Sequence, residues 1–190
     1  MTWVTLPNFI TIFRLCLIPF YLYFFIQGQY RLAMIIFALA GISDVVDGGL
    51  ARYFKQKTRF GSIMDPAADK ILMLSTYLTL GFTGFIPMWV SCLVILRDLW
   101  IVLGIFYLKA KTKVFNFSAT RLSKLNTFFQ LFTALGFFLK AFQGQERIAW
   151  LQPIEPWFYP GLQWVMWIMV LTTVLSGLQY TQKGLKILTI

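Results

Sequence analysis

Long apolar segments recur along the whole chain, and they restrict its fold more than any other feature of the sequence. A hydrocarbon core about 30 Å thick is crossed by ~20 helical residues. Every backbone group inside it must be hydrogen-bonded within the protein. Hydrophobic residues make up 58% of the 190 positions, against about 45–50% in ordinary soluble domains. The sequence therefore predicts an all-α, polytopic integral membrane protein.

Six transmembrane helices fit this pattern and leave no stretch for a soluble domain, so residues 1–190 are predicted to form a single membrane domain. The predicted spans run from about Pro7 to Gln27, Tyr30 to Phe54, Ser62 to Thr83, Ile86 to Ala110, Ser118 to Phe142 and Phe158 to Tyr180. The first run has no charged segment before it and no small-residue cleavage site after it. We interpret it as a retained span and not as a signal peptide.

Lysine and arginine are concentrated at one end of the predicted spans. The loops after spans two and four and the tail hold most of them: Arg52, Lys55, Lys57, Arg59, Lys109, Lys111, Lys113, Arg121, Lys124, Lys183 and Lys186. The positive-inside rule then predicts that both termini are cytoplasmic, in a bacterial inner membrane or an equivalent organelle membrane. This topology and attraction to anionic lipids explain the net charge of +10, so nucleic-acid binding is not expected.

Acidic residues are scarce and clustered. The chain has seven, and four of them, Asp44, Asp47, Asp65 and Asp69, lie within 26 positions of predicted spans two and three. Each ionised carboxylate inside a span costs at least ~2.5–3.5 kcal/mol on insertion scales, so a functional reason is expected. The first two are three residues apart and the last two are four apart, so each pair shares a helix face.

A short loop joins these two spans, so the carboxylate pairs are predicted to face each other at the cytoplasmic side. Two bridging divalent cations would offset their repulsion, as in phosphoryl-transfer sites. The chain has no histidine, which favours Mg²⁺ or Mn²⁺ over zinc. Gly48 and Ala51 follow Asp44 on the same face and leave room for a bulky ligand, while Arg52 is placed to contact a phosphate.

Carboxylates inside a membrane also line transport pathways, so a cation or proton transporter is the alternative of another class. A pathway across the bilayer needs such groups at the midplane and beyond. The four clustered aspartates are predicted near one face, and spans one and six contain none. This distribution favours an enzyme.

The clustered residues also form a signature at fixed spacing. It reads Asp44-x-x-Asp47-Gly48-x-x-Ala51-Arg52, then Gly61, Asp65 and Asp69. The pattern resembles the full signature of the CDP-alcohol phosphotransferases, with no departure at any fixed position, and the six-span layout resembles that family from end to end. The resemblance implies transfer of a phosphatidyl group from CDP-diacylglycerol to an alcohol, release of CMP, and a homodimer.

The resemblance also implies roles for individual residues. Asp44, Asp47 and Asp65 would hold the metals, and Asp69 would contribute to the second metal and act as the base on the acceptor hydroxyl. The residues expected around the CDP-lipid are Asn8, Thr11, Gly48, Ala51, Arg52 and Thr58.

The acceptor alcohol has to be inferred from other residues. Arg97, Arg121 and Lys124 are cations suited to an anionic acceptor, although Arg97 can equally pair with Asp98 and Lys124 can be a topology charge. By resemblance, Arg97-Asp98 and Ser123-Lys124-x-Asn126-Thr127-x-x-Gln130 are most like the cardiolipin synthase branch. We therefore expect phosphatidylglycerol, which needs a lateral opening for its acyl chains. The alternative is glycerol 3-phosphate, as in phosphatidylglycerophosphate synthases.

Overall fold

The computed structural model describes residues 6–53, 61–111, 120–144 and 152–188, without the side chains of residues 6–8, 44–53, 61–63, 109 and 188. Within these ranges the chain is helical and contains no β-strand. The helices are α1 (Leu6–Ile26), α2 (Tyr30–Tyr53), α3 (Gly61–Phe82), α4 (Met88–Lys111), α5 (Arg121–Gln143) and α6 (Glu155–Leu188), with a 3-10 turn at Gln152–Ile154.

The prediction of an all-α membrane protein is confirmed in its coarser form. Four of the described helices, α1, α4, α5 and α6, are long and apolar enough to cross a membrane, while the apolar part of α2 is the shorter segment Tyr30–Ser43. The count of six spans and the cytoplasmic location of both termini stay predictions.

The largest difference from the predicted spans is at α6. The predicted span ends at Tyr180, whereas the helix continues to Leu188. Its 34 residues measure ~51 Å at ~1.5 Å per residue, well beyond a ~30 Å hydrocarbon core. The segment after Tyr180 contains Gln182, Lys183 and Lys186, so the predicted apolar span stopped before it, and it has no proline that would end the helix.

Two glycines end helices in the left-handed conformation. Gly28 has φ of 75° and follows α1, and Gly84 has φ of 77° and follows α3. After α1 the Gln29 amide donates to the Phe24 carbonyl at 2.8 Å, which satisfies an acceptor that the helix leaves open. A glycine adopts this φ without the steric penalty of a Cβ, so both turns are tight.

The chain divides into two compact units. Unit 1 comprises Met1–Thr79 and Ala141–Glu146, and in it α1 packs against α2. Its core contains Tyr21, whose ring centroid lies 5.7 Å from that of Phe37 and 6.4 Å from that of Phe25. The buried positions of α1 recur every three or four residues and so form one helix face. The opposite face exposes large apolar side chains such as Phe20, as expected for contact with lipid.

Unit 2 comprises Leu80–Lys140 and Arg147–Ile190, and in it α4 packs against α6. The rings of Trp89 and Trp167 pair across these two helices with centroids 5.7 Å apart. Gly81, near the end of α3, lies so close to α4 that a Cβ there would be 3.0 Å from the Ser91 Cβ. Because Gly81 has no side chain, the end of α3 can lie this close to α4.

Candidate active site

The predicted metal and donor residues of α2 lie in its last three turns. Asp44, Asp47, Gly48, Ala51 and Arg52 all have helical backbone, so the three-residue spacing of the two aspartates does put them on one side of the helix. Their side chains, and that of Asn8 in α1, are not described, and Thr58 lies outside the described residues. Their roles stay predictions.

The second pair of aspartates lies near the start of α3, which begins at Gly61. Asp65 and Asp69 are one turn apart on the same face, Asp65 half-buried and Asp69 exposed. The fully buried Thr11 of α1 donates a hydrogen bond to Asp65 Oδ1 at 2.6 Å. This is the length of a charge-assisted O–H···O⁻ bond, so the Asp65 carboxylate is held in a defined orientation.

Thr11 was expected to contact the nucleotide. A hydroxyl can donate only one hydrogen bond, and the Thr11 hydroxyl donates it to Asp65. The residue therefore lies beside a candidate metal ligand, and any further contact with a nucleotide would be made through its oxygen lone pairs.

Sequence reasoning missed Arg14, which is fully buried one turn after Thr11 on the same face of α1. It is the one charged residue in the sequence of α1. A buried guanidinium is strongly unfavourable unless it is paired, so the membrane argument applied to the aspartates also applies here. A lone cation inside a predicted span was the signal that could have identified it.

Arg97 is the centre of a buried polar cluster in unit 2. Its Nη1 donates to Asp98 Oδ1 at 2.7 Å, its Nε to Ser176 Oγ at 2.8 Å and its Nη2 to Ser123 Oγ at 2.9 Å. The alternative of an ion pair with Asp98 is thus present in the structure. Each of these bonds uses a different edge of the guanidinium, and together they join α4, α5 and α6.

The other two acceptor candidates lie at the start of α5. Thr120 caps this helix, because its Oγ1 accepts a hydrogen bond from the Ser123 amide at 3.1 Å. Arg121 and Lys124 follow it in the first turn, and both are exposed. Their side chains are accessible at the surface of unit 2, whereas that of Arg97 is buried.

Asn126 continues the polar cluster along α5. Its Oδ1 lies 3.0 Å from Thr172 Oγ1 and 2.8 Å from Thr173 Oγ1, and both hydroxyls also lie within 3.0 Å of the Met169 carbonyl oxygen. Each threonine hydroxyl has one proton, so the two hydroxyls can donate only two of these four contacts as hydrogen bonds. Meanwhile Asn126 Nδ2 has no hydrogen-bond acceptor among the described residues.

Rotating the Asn126 side-chain amide by 180° exchanges its oxygen and nitrogen and supplies the missing donors. Nδ2 then donates to both threonine oxygens, and both hydroxyls donate to the Met169 carbonyl, so all four short contacts become hydrogen bonds. We therefore assign the rotated amide. In this orientation Asn126 fastens α5 to α6 next to Ser176, which in turn holds Arg97.

The described side chains contain no group of three or more acidic, cysteine or histidine residues that could hold a metal ion. Asp44 and Asp47 are not among these side chains, and the two-ion site stays a prediction.

Residues 4–175 match the CDP-alcohol phosphatidyltransferase family. The match includes the complete aspartate signature and extends over both units. The chain therefore belongs to this family, and the expected class of enzyme is confirmed at that level.

Individual relatives differ in the product that their names state. A probable cardiolipin synthase (CMP-forming) of Drosophila melanogaster is 36% identical over 93% of this chain and 56% of its own length. The cardiolipin synthase (CMP-forming) of Homo sapiens is 34% identical over 67% of this chain and 48% of its own length. A probable phosphatidylglycerophosphate synthase of Mycobacterium tuberculosis is 32% identical over 95% of this chain and 82% of its own length. The chain spans about half the length of these two cardiolipin synthases.

Proposed function

We propose that the protein transfers the phosphatidyl group of CDP-diacylglycerol to phosphatidylglycerol and so forms cardiolipin and CMP. The observation that carries the proposal is the family match across the whole aspartate signature. Cardiolipin synthases among the relatives, at 36% and 34% identity, support the choice of acceptor. Glycerol 3-phosphate is the second candidate, because the phosphatidylglycerophosphate synthase relative is matched over 82% of its length.

Asp44, Asp47, Asp65 and Asp69 would hold two Mg²⁺ or Mn²⁺ ions. The donor set fits such hard cations, since it consists of carboxylate oxygens and one member, Asp65, is already oriented by Thr11. When bound, the ions would offset the charge of the CDP diphosphate and stabilise the departing CMP.

The chain's own residues would then position the reactants and move one proton. Asp69 is exposed one turn beyond Asp65, where a carboxylate can accept the proton of the acceptor hydroxyl. The hydroxyl oxygen forms a bond to the phosphatidyl phosphorus as the bond from phosphorus to the CMP oxygen breaks, and CMP leaves with that electron pair. The proposed contacts to the CDP-lipid are Asn8, Thr11, Gly48, Ala51, Arg52 and Thr58.

Arg121 and Lys124 are the proposed contacts to the acceptor phosphate, because their charges are exposed at the start of α5. Arg97 is also proposed for the acceptor, and its bonds to Asp98, Ser123 and Ser176 suggest that it acts largely by fixing the three helices around it.

The proposal includes six spans, both termini and the active site at the cytoplasmic side, and a homodimer. The four long apolar helices support a multi-pass membrane protein.

A direct assay separates the candidates. Purified protein in nanodiscs receives CDP-diacylglycerol, Mg²⁺ or Mn²⁺, and either phosphatidylglycerol or glycerol 3-phosphate, and mass spectrometry identifies the lipid formed. We expect CMP and cardiolipin with phosphatidylglycerol. If a product forms only with glycerol 3-phosphate, and it is phosphatidylglycerophosphate, then glycerol 3-phosphate is the acceptor. If no CMP is released with either alcohol, the enzymatic proposal is overturned.

A further inference from the structure

An apolar groove runs between α4 and α6 in unit 2. One stretch, of about 360 Å³, is lined by Trp100, Gly104 and Leu108 from α4 and by Tyr180, Gly184 and Leu185 from α6. A second stretch, of about 440 Å³, leads past Leu96 to Leu93 and the stem of Arg97. Trp100 and Thr181 line both stretches, so the two lie end to end along the same helix pair, and together they are called the α4–α6 groove.

Glycines keep this groove open. A Cβ added to Gly104 would have no neighbour within 4 Å, and one added to Gly184 would only touch Leu108 Cδ1 at 3.7 Å. The space therefore lies beside the helices as an unfilled channel, and a side chain at Gly104 would project into it.

The wall of the groove suits hydrocarbon. Its polar lining is small, and the Trp100 indole donates to Thr181 Oγ1 at 3.0 Å, so these two groups are already satisfied. From Leu93 to Leu108 the two stretches together follow sixteen residues of α4, whose fifteen steps span ~22 Å at ~1.5 Å per residue. This exceeds the ~15 Å depth of one leaflet of a ~30 Å hydrocarbon core. The dimensions fit an acyl chain better than a compact polar ligand.

Cations stand at one end of the groove. The two helices run parallel, since Trp89 pairs with Trp167 and Trp100 with Thr181, so their C-terminal ends lie on the same side. Lys111 is exposed there, with its Nζ 5.1 Å from the centroid of the Tyr107 ring that lines the groove. A side-chain hydrogen bond with Tyr107 raises the pKa of Lys111 above its ordinary value, which already lies well above neutral pH. Lys183, next to Gly184, is also exposed.

We propose that the α4–α6 groove binds one acyl chain of the phospholipid acceptor, with the anionic head group at the end marked by Lys111 and Lys183. A leaflet-long apolar channel with a cationic mouth matches an anionic phospholipid in both parts. The proposal rests on the proposed function and deepens it. The acceptor candidate Arg97 lines the groove in unit 2, whereas the proposed contacts to the donor lipid all belong to unit 1. Glycerol 3-phosphate has no chain to occupy the groove.

Gly104→Leu tests the proposal by filling the groove. The position tolerates a side chain, and leucine is a better helix former than glycine, so the fold is retained. Loss of the space for about two methylene groups should raise the half-saturating fraction of phosphatidylglycerol in mixed micelles roughly tenfold. The turnover number and the dependence on CDP-diacylglycerol should not change. Gly161→Leu is the matched control, since Gly161, in α6, likewise has open space around it and does not line the groove.

A binding readout keeps the result independent of turnover. Phosphatidylglycerol with a photoactivatable acyl chain, reconstituted in nanodiscs, should label peptides of α4 and α6 in the unaltered protein and in Gly161→Leu, and label them much less in Gly104→Leu. Short-chain phosphatidylglycerol should compete poorly with the probe in the unaltered protein, a comparison that needs no variant.

Three outcomes would contradict either the groove proposal or the proposed function on which it rests. Unchanged labelling and saturation in Gly104→Leu would overturn it. A shift in oligomeric state in Gly104→Leu with unchanged labelling would assign the groove to contact between two copies of the chain. Absence of CMP release from the unaltered protein with phosphatidylglycerol would instead overturn the proposed function, while the labelling would still decide whether the groove binds a lipid chain.

Discussion

Thr11 and Asp65 are 54 residues apart in the sequence, yet a single hydrogen bond of 2.6 Å joins them. Carboxylate ligands of metal ions are commonly fixed by such outer partners, which set the orientation of the oxygen that faces the ion. In this protein the partner is a hydroxyl on α1, so the first helix is tied directly to the predicted metal site.

Thr11→Val keeps the shape of the side chain and removes its proton. Because Asp65 then loses its fixed orientation, we expect the Mg²⁺ or Mn²⁺ concentration for half-maximal activity to rise about 10–100-fold. Activity at saturating metal should be largely retained. CMP release measured across a metal titration checks this, and Thr11→Ser, which keeps the hydroxyl, should behave like the unaltered protein. An unchanged metal titration with weaker CDP-diacylglycerol binding would show that Thr11 serves the nucleotide and not the metal site.

Asp69→Asn replaces the proposed base by an amide of the same shape. Since an amide does not accept the hydroxyl proton, turnover should fall below detection while much of the binding of CDP-diacylglycerol persists. CMP release and direct calorimetric binding of the donor lipid measure the two effects separately. Glu155→Gln, the same chemical change at the start of α6, is the control and should be active. Normal turnover in Asp69→Asn would remove Asp69 as the base.

The sequence predicted the aspartates because charge inside an apolar segment is conspicuous and costly. Neither the Thr11–Asp65 bond nor the Asn126 network could be predicted in the same way. Threonine, serine and asparagine carry little penalty in a helix, and their partners depend on how separate helices pack. Arg14 was within reach of the charge argument and was overlooked.

At the scale of elements, hydropathy located every described α-helix to within a few residues, apart from the far end of α6. The reason is physical, since a lipid-facing helix must be apolar along its length. The α4–α6 groove was beyond such reasoning. A glycine in a span predicts close packing as readily as open space, and here Gly81 provides the first and Gly104 the second.

Gly81→Ala tests the close packing of α3 on α4. The new Cβ would lie 2.5 Å from the Ser91 Oγ and 3.0 Å from the Ser91 Cβ, so the hydroxyl must rotate and the helices must shift by a few tenths of an ångström, at a cost of ~1–3 kcal/mol for overpacking. The better helix propensity of alanine offsets at most ~1 kcal/mol. We therefore expect a lower melting temperature in detergent. Gly41→Ala, where a Cβ meets nothing within 4 Å, should be neutral or slightly stabilising. Equal melting temperatures for the two variants would contradict the close approach.

At the scale of the molecule, the sequence predicted the class of protein well because membrane insertion and the aspartate signature both depend on composition and spacing. It did not predict the division into two compact units, which arises from long-range packing. The acceptor is hardest to predict, since Arg97 has a structural role in unit 2 that its charge alone does not reveal.

Removal of divalent cations tests the proposed site as a whole. EDTA should abolish CMP release, and Mg²⁺ or Mn²⁺ should restore it, because carboxylates alone would repel the CDP diphosphate. The helical circular dichroism signal should be unchanged, since the membrane helices are stabilised by their own backbone hydrogen bonds and by lipid. Full activity in EDTA would refute the metal requirement, and loss of the helical signal would assign the ions a structural role.

The pairing of Trp89 with Trp167 has a practical consequence. Two indoles at this separation couple electronically, and the coupling decays steeply as the rings part. We therefore expect the near-ultraviolet circular dichroism of the native chain to contain a contribution that depends on how closely α4 and α6 approach at the end opposite the lysines. This signal would follow the distance between the two helices without an added label while the surrounding lipids are exchanged.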